Sequence, residues 1–162
     1  MANALTLLAR TRNARGLLPG GQALELHFME FVIDGQPLGR TLGSFLFYED
    51  ATQEYVSVLV KDWPINSAAV DLDRLLGRQP DPSLSGRVAI YVCAECGDLG
   101  CGAITADVEV GTDHVVWRDV GYQNNYEPFD KSLVFEGVGP FTFDYRSYAS
   151  ALETFRRQLP QS

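Results

Sequence analysis

The sequence predicts an α+β domain: a mainly antiparallel β-sheet covered on one face by a C-terminal helix, with one shorter helix on a connection. Three observations carry this expectation. Residues 87–122 divide into three runs rich in strand-forming residues separated by turn signals, the pattern of an antiparallel meander. Tyr145, Tyr148, Leu152, Phe155 and Leu159 recur at steps of three and four, the period of one helix face. The chain has 162 residues, of which 46% are hydrophobic and 11% aromatic, enough to bury one sizeable core. A single domain over residues 1–162 is therefore expected, with 1–20 as a loosely ordered N-terminal segment.

Residues 1–21 show a weak apolar pattern ending in L-L-P-G-G, which reads as a short element and a turn. In 22–33, Leu24, Leu26 and Phe28 alternate with Glu25 and His27, so a strand is expected, closed by the hairpin pair Asp34-Gly35. His27 falls on the face opposite the leucines and reads as an ordinary surface or satisfied residue rather than a ligand. Residues 43–49 and 55–63 read as further strands, the second with Val56, Val58 and Val60 on one face.

A short helix follows, with Asn66 or Ser67 as N-cap, Ala69, Leu72, Leu75 and Leu76 at helical spacing, and Gly77 as a left-handed stop. Asp71 and Asp73 lie two apart on it and read as solvated surface. Residues 77–86, with Pro80, Asp81 and Pro82, are the best candidate for a joint. For the C-terminal helix, Asp144 can cap, Arg156 and Arg157 suit the last turn, and Pro160 lies beyond.

The formal net charge of −8 disfavours nucleic-acid binding through phosphates, which needs clustered Lys and Arg. Only Arg10, Arg12 and Arg15 cluster, and they read as a solvated arm. No apolar run approaches the ~18 residues of a membrane span, and residues 1–9 lack the pattern of a secretory signal. A cytoplasmic protein is expected, and three cysteines, an odd number, fit a reducing compartment.

Those cysteines define the candidate site. Cys93, Cys96 and Cys101 stand in C-x2-C-x4-C, which begins like a zinc knuckle: a tight turn presents thiolates while Gly97, Gly100 and Gly102 let backbone amides approach the sulfurs. Zinc is the cofactor this reading implies, with Asp98, or else Glu95 or Glu127, as a fourth, oxygen ligand. Two other readings stand beside it. Cys93 and Cys96 form a C-x-x-C capable of thiol redox chemistry, although no helix follows them, and all three cysteines can equally be small buried hydrophobes.

A nine-residue strand spans about 30 Å, so His114 lies at the far end of the meander from the cysteine turn and is a poor ligand. The same up-and-down path returns Gln123, Asn124, Asn125, Tyr126 and Glu127 to the cysteine end, where a binding site for a protein or small molecule is expected. Trp117 reads as core or, if exposed beside Tyr122 and Tyr126, as part of that partner surface. No phosphate loop, H-E-x-x-H or local acid/base set occurs.

C-A-E-C-G-D-L-G-C-G, followed by V-V-W-R-D-V-G-Y-Q-N-N-Y, resembles a group of uncharacterised bacterial proteins with a C-x-x-C-G-D-x-G-C-G core and a downstream W, G and N-Y pattern. The resemblance covers residues 91–126 and implies a signature of Cys93, Cys96, Gly97, Asp98, Gly100, Cys101, Gly102, Trp117, Gly121, Asn125 and Tyr126. Some proteins of that group are described as oxidoreductases. The leading expectation is a non-catalytic binding or interaction protein with a structural cysteine turn. The alternatives are a thiol- or metal-dependent oxidoreductase, and an immunity-type inhibitor that meets a basic partner through an acidic face.

Overall fold

The structure, a computed structural model, describes residues 2–17, 23–43, 55–63, 65–94 and 99–159. Among them the class is α+β, antiparallel throughout its two sheets, with the last helix directly following the last strand. The single expected sheet is divided in two.

The three-stranded sheet has the order β1 (Leu5–Leu17), β2 (Ala23–Ile33), β3 (Gln36–Pro37). The expected short N-terminal element is thus a long strand, in register with β2 from Leu5↔Ile33 to Arg12↔Leu26 and beyond. Its arginines are not a solvated arm: Arg12 is buried, and the Arg10 guanidinium lies 5.9 Å from the centre of the Phe28 ring. Arg12, buried among the strand's inward-facing positions, interrupts the apolar alternation, which is why the strand is faint in the sequence. The Arg15 and Leu24 side chains and residues 18–22, where a turn is expected, lie outside the described residues. Leu26 and Phe28 are buried as expected, and Asp34 and Gly35, with φ 53° and 81°, make the tight turn.

After β3 comes a helix the sequence did not signal, α1 (Leu38–Leu42), which buries Leu38 and Leu42 against β2. The strand expected at 43–49 lies, beyond Gly43, outside the described residues. The five-stranded sheet has the order β4 (Tyr55–Ser57), β5 (Val88–Cys93), β6 (Ala103–Val110), β7 (His114–Gln123), β8 (Phe141–Asp144). The strand expected over 55–63 is only three residues long, because the chain there passes from one sheet to the other. Val58 N donates to Ile90 O at 3.0 Å, while Met29 N donates to Leu59 O at 3.0 Å and Lys61 N to His27 O at 2.8 Å. Val56 to Val60 are consequently all buried, without alternation.

The helix α2 (Ile65–Leu75) starts ahead of Asn66 and Ser67, which sit in its first turn rather than at its cap, and Gly77 ends it with φ 73°. Residues 77–86 are no joint: Asp81 caps a 3-10 turn at Pro82–Leu84 by accepting from Ser83 N at 3.0 Å, and Leu84 is buried. The C-terminal helix α3 (Tyr145–Arg156) is capped by Asp144, which accepts from Ser147 N at 3.0 Å, and it buries Tyr148, Leu152 and Phe155. It packs on β1, β7, β8 and α2. Ion pairs lace α2 to α3: Asp73 meets Arg156 at 2.6 Å, and Arg78 bridges Asp73 and Glu153. Asp71 and Asp73 are therefore partnered, not merely solvated.

Trp117 is the hinge of the core. Its ring meets Phe143 at 5.2 Å and Phe31 at 5.5 Å, both edge-on, so that β8 and the three-stranded sheet converge on one side chain of β7. Its indole Nε1 donates to Tyr148 Oη at 3.2 Å, and that hydroxyl donates onward to Leu75 O at 2.6 Å, tying α3 to the end of α2.

Candidate functional site

Directly opposed residues of neighbouring strands point to one face of a sheet, so register decides which side chains share the site. Tyr55 opposes Cys93, Tyr91 opposes Ile104, and Ile104 opposes Tyr122. Nearer the other end Val108 opposes Trp117. Strict alternation along β7 would place Trp117 and Tyr122 on opposite faces, five residues apart. They share a face because β7 carries a bulge: Thr105 opposes Gly121 and Asp107 opposes Arg118, so Asp119 and Val120 together stand opposite Ala106. Asp119 absorbs the bend with φ 53°, a conformation Asp tolerates better than most residues, and its carbonyl accepts from Arg87 Nη2.

One face of the five-stranded sheet therefore runs from the Trp117 core to the cysteine end, where it becomes the wall of a cleft of about 770 Å³. Tyr55, Ile104 and Tyr122 supply that wall, Thr41 and Leu42 of α1 the opposite one, and residues 132–138 the third side. Two glycines build it. Gly102, with φ 96°, lies under the Tyr122 ring so closely that a Cβ there would meet the hydroxyl at 2.1 Å. Gly121 lets the chain at Leu133 and Val134 lie against β7, where a Cβ would stand 2.9 Å from Leu133 O; Phe135 N then donates to Val120 O at 2.8 Å. Ser132, Leu133, Phe135 and Glu136 are thereby held at the mouth.

Cys93 and the Leu99–Cys101 turn stand at this end, as the meander required: Val110↔Val115 lies at one end of the β6–β7 pair and Ala103↔Gln123 at the other, far from His114. Cys93 is half-buried on the cleft face beside Tyr55, and Cys101 is exposed in a 3-10 turn at Leu99–Cys101. Cys101 is thus not a buried hydrophobe. Cys96, Asp98 and Glu95 lie outside the described residues. Among the described residues no group of three or more His, Cys, Asp or Glu side chains is placed to hold a metal.

The other expected binding residues separate by burial. Trp117 is 0% exposed and cannot touch a partner; the large ring fills the space between two sheets and a helix. Gln123 returns to the cysteine end but is buried too, accepting from Thr105 Oγ1 at 2.8 Å and donating to Leu84 O at 3.1 Å, so its amide is a brace. Asn124 organises the loop beyond: its Oδ1 accepts from Tyr126 N and Glu127 N, and its Nδ2 donates to Glu127 Oε1 at 2.9 Å. That turn displays Asn125 and Tyr126, the latter 72% exposed, beside Glu127.

Four charged groups sit unusually. Burial pushes the Glu30 carboxyl up to about 7, against the opposing pull of its bonds from Tyr91 Oη and Phe31 N and of the Arg10 charge. Burial likewise raises Asp71 to about 7, although Arg74 Nη1 lies 3.6 Å away and also reaches Asp81 at 3.5 Å. His27, expected as an ordinary surface or satisfied residue, is exposed and paired with Asp62 at 2.9 Å and Glu25 at 3.2 Å, and the Asp62 hydrogen bond raises its pKa. Desolvation lowers Arg87, whose guanidinium stacks 3.6 Å from the centre of the Phe129 ring and donates to Thr105 Oγ1 at 3.0 Å.

The cleft itself was not foreseen. Its walls come from α1, β4, β6, β7 and the 132–138 connection, elements far apart in the chain, and the apolar residues Leu133, Val134, Phe135 and Val138 of that connection follow no strand or helix period. No protein-family model, no curated protein and no solved structure matches the chain.

Proposed function

We propose that the protein is a non-catalytic binding module and that the cleft between α1, the Tyr55–Ile104–Tyr122 wall and residues 132–138 takes an apolar group of its ligand. What supports this is the lining: a space of about 770 Å³, a size typical of ligand pockets, walled by leucine, isoleucine, valine and aromatic side chains with a few hydroxyls and the single carboxylate of Glu136. No described side chain in the lining is a histidine, cysteine or lysine, and its polar side chains are the Glu136 carboxylate and the hydroxyls of Thr41, Tyr55, Tyr122 and Ser132.

The test uses the apolar fluorophore 1-anilinonaphthalene-8-sulfonate with the native protein and with Thr41→Trp, a bulky residue at the exposed cleft rim. Saturable binding to the native protein that is lost in the variant, with the unfolding temperature unchanged, is the expected result. Equal binding to both, or none to either, refutes the reading.

The oxidoreductase alternative has one observation in its favour, the half-buried Cys93 thiol on the cleft face. It requires a reactive thiolate there. Alkylation of Cys93 in the folded protein at the rate of an unfolded control, together with turnover abolished by Cys93→Ser, would replace the binding module with that enzyme.

A further inference from the structure

The cleft does not end at its mouth. Tyr122 and Leu133 line it and also line a second, smaller depression of about 90 Å³, completed by Gln123, Asn124, Glu127, Pro128 and Asp130. Leu133 is the ridge between them and is 41% exposed, and Tyr126 stands exposed on the same loop as Glu127. Exposed large hydrophobics are otherwise confined to Leu8 among the described residues. The apolar surface therefore extends past the volume of the cleft, as in a protein interface rather than a closed small-molecule pocket.

Charge along this surface is one-sided. Glu136 lines the cleft, Glu127 and Asp130 line the depression, and neither lining includes a described Lys or Arg. Lys131 is the only cation in residues 124–138, in a chain of net charge −8. Glu127 and Asp130 each spend an oxygen locally, on Asn124 Nδ2 and on Ser132 N, which fixes the carboxylates in place and leaves each a second oxygen.

Resting on the binding-module reading, we propose that the occupant is an extended segment of a partner protein carrying a bulky apolar side chain next to Lys or Arg. The apolar residue enters the cleft, the chain crosses the Tyr122–Leu133 ridge, and the basic residue meets Glu127 and Asp130. Complementary charge then sets the association rate and the register of the segment more than its affinity.

The probe is a fluorescein-labelled octapeptide with a leucine–phenylalanine pair between two lysine pairs, read by anisotropy, beside a version with alanines for lysines and one with alanines for the apolar pair. The expected result is binding of the first only, weakened roughly two- to five-fold by each of Glu127→Gln and Asp130→Asn, the range of a surface ion pair, and weakened further by 0.5 M salt. Leu133→Ala abolishes it. Equal binding of the lysine-free peptide overturns the charge assignment while the binding module stands. Failure of all three peptides, with the fluorophore still bound in the cleft, overturns the peptide occupant alone; loss of fluorophore binding as well removes the binding module itself.

Discussion

Tyr91 of β5 donates its phenolic proton to the carboxyl of Glu30 on β2, a bond between the two sheets in which both side chains are fully buried. A carboxyl held at about 7 in the fold but at 4.5 when exposed binds its proton in the native state across that interval. Its contribution to stability is therefore complete below 4.5 and is lost as pH rises through about 7. The gap corresponds to about 3 kcal/mol as an upper bound. Asp71 at about 7 and the raised His27 act with the same sign, so urea midpoints should fall steadily from pH 4.5 to 8. Glu30→Gln keeps a hydrogen-bonding side chain without the charge. It should remove about half of the decline and make the protein more stable than the native chain at pH 8; Glu30→Gln with Asp71→Asn should leave little beyond the His27 share. A native curve that rises with pH over this range would contradict the assignment.

Tyr148→Phe removes one hydroxyl and two hydrogen bonds. The Leu75 carbonyl, at the end of α2, loses its donor and the buried Trp117 indole N–H loses its acceptor. Leaving buried groups unsatisfied costs about 1–3 kcal/mol, so a fall of that size in unfolding free energy is expected, with fluorophore binding at the distant cleft unchanged. A neutral variant would mean that the phenol is not the tie between α2, α3 and β7.

How much of this was legible in the sequence depended on whether a residue's partners were local. The C-terminal helix, its Asp144 cap and the 87–122 meander were readable because period and capping are local properties. The division into two sheets was not, since residues 55–60 look like one strand until Val58 bonds to Ile90 and Leu59 to Met29. The shared face of Trp117 and Tyr122 was hidden by the Asp119 bulge, because one extra residue inverts the parity on which strand reading relies. Gln123 reads as a polar residue in the right place, but that its amide braces the sheet is decided by Thr105 and Leu84, far away in the chain.

Gly102→Ala tests how the cleft wall is made. The new methyl would need a φ of 96° and would meet the Tyr122 hydroxyl at 2.1 Å. Backbone strain of about 1–2 kcal/mol and overpacking of about 1–3 kcal/mol add together. Gly137→Ala, at φ 78° with nothing within 4 Å of its Cβ, should cost only the first of these. In a Tyr122→Ala background the cost of Gly102→Ala should shrink to that of Gly137→Ala, a coupling that a double-mutant cycle measures directly. Equal costs in both backgrounds would show that the Tyr122 ring yields freely and does not fix the wall.

Arg87→Lys bears on the loop that displays Tyr126. The guanidinium donates to Thr105 Oγ1 at 3.0 Å, to Thr105 O at 3.1 Å and to the Asp119 carbonyl, while its plane covers the Phe129 ring. An ammonium keeps the charge but has neither the fork nor the plane. Thr105 stays inside the sheet through Gln123, so the fold should survive with a loss of about 2 kcal/mol, in the range for charged hydrogen bonds. Phe129, however, loses its only stacking cation among the described residues, and the segment from Asn124 to Asp130 should open more often. Tryptic cleavage after Lys131 is then expected to accelerate several-fold under native conditions, while a site inside the sheet, Arg118, stays protected. If Lys131 is cut no faster in the variant, the loop is held by the Asn124 turn alone and Arg87 serves only the bulge.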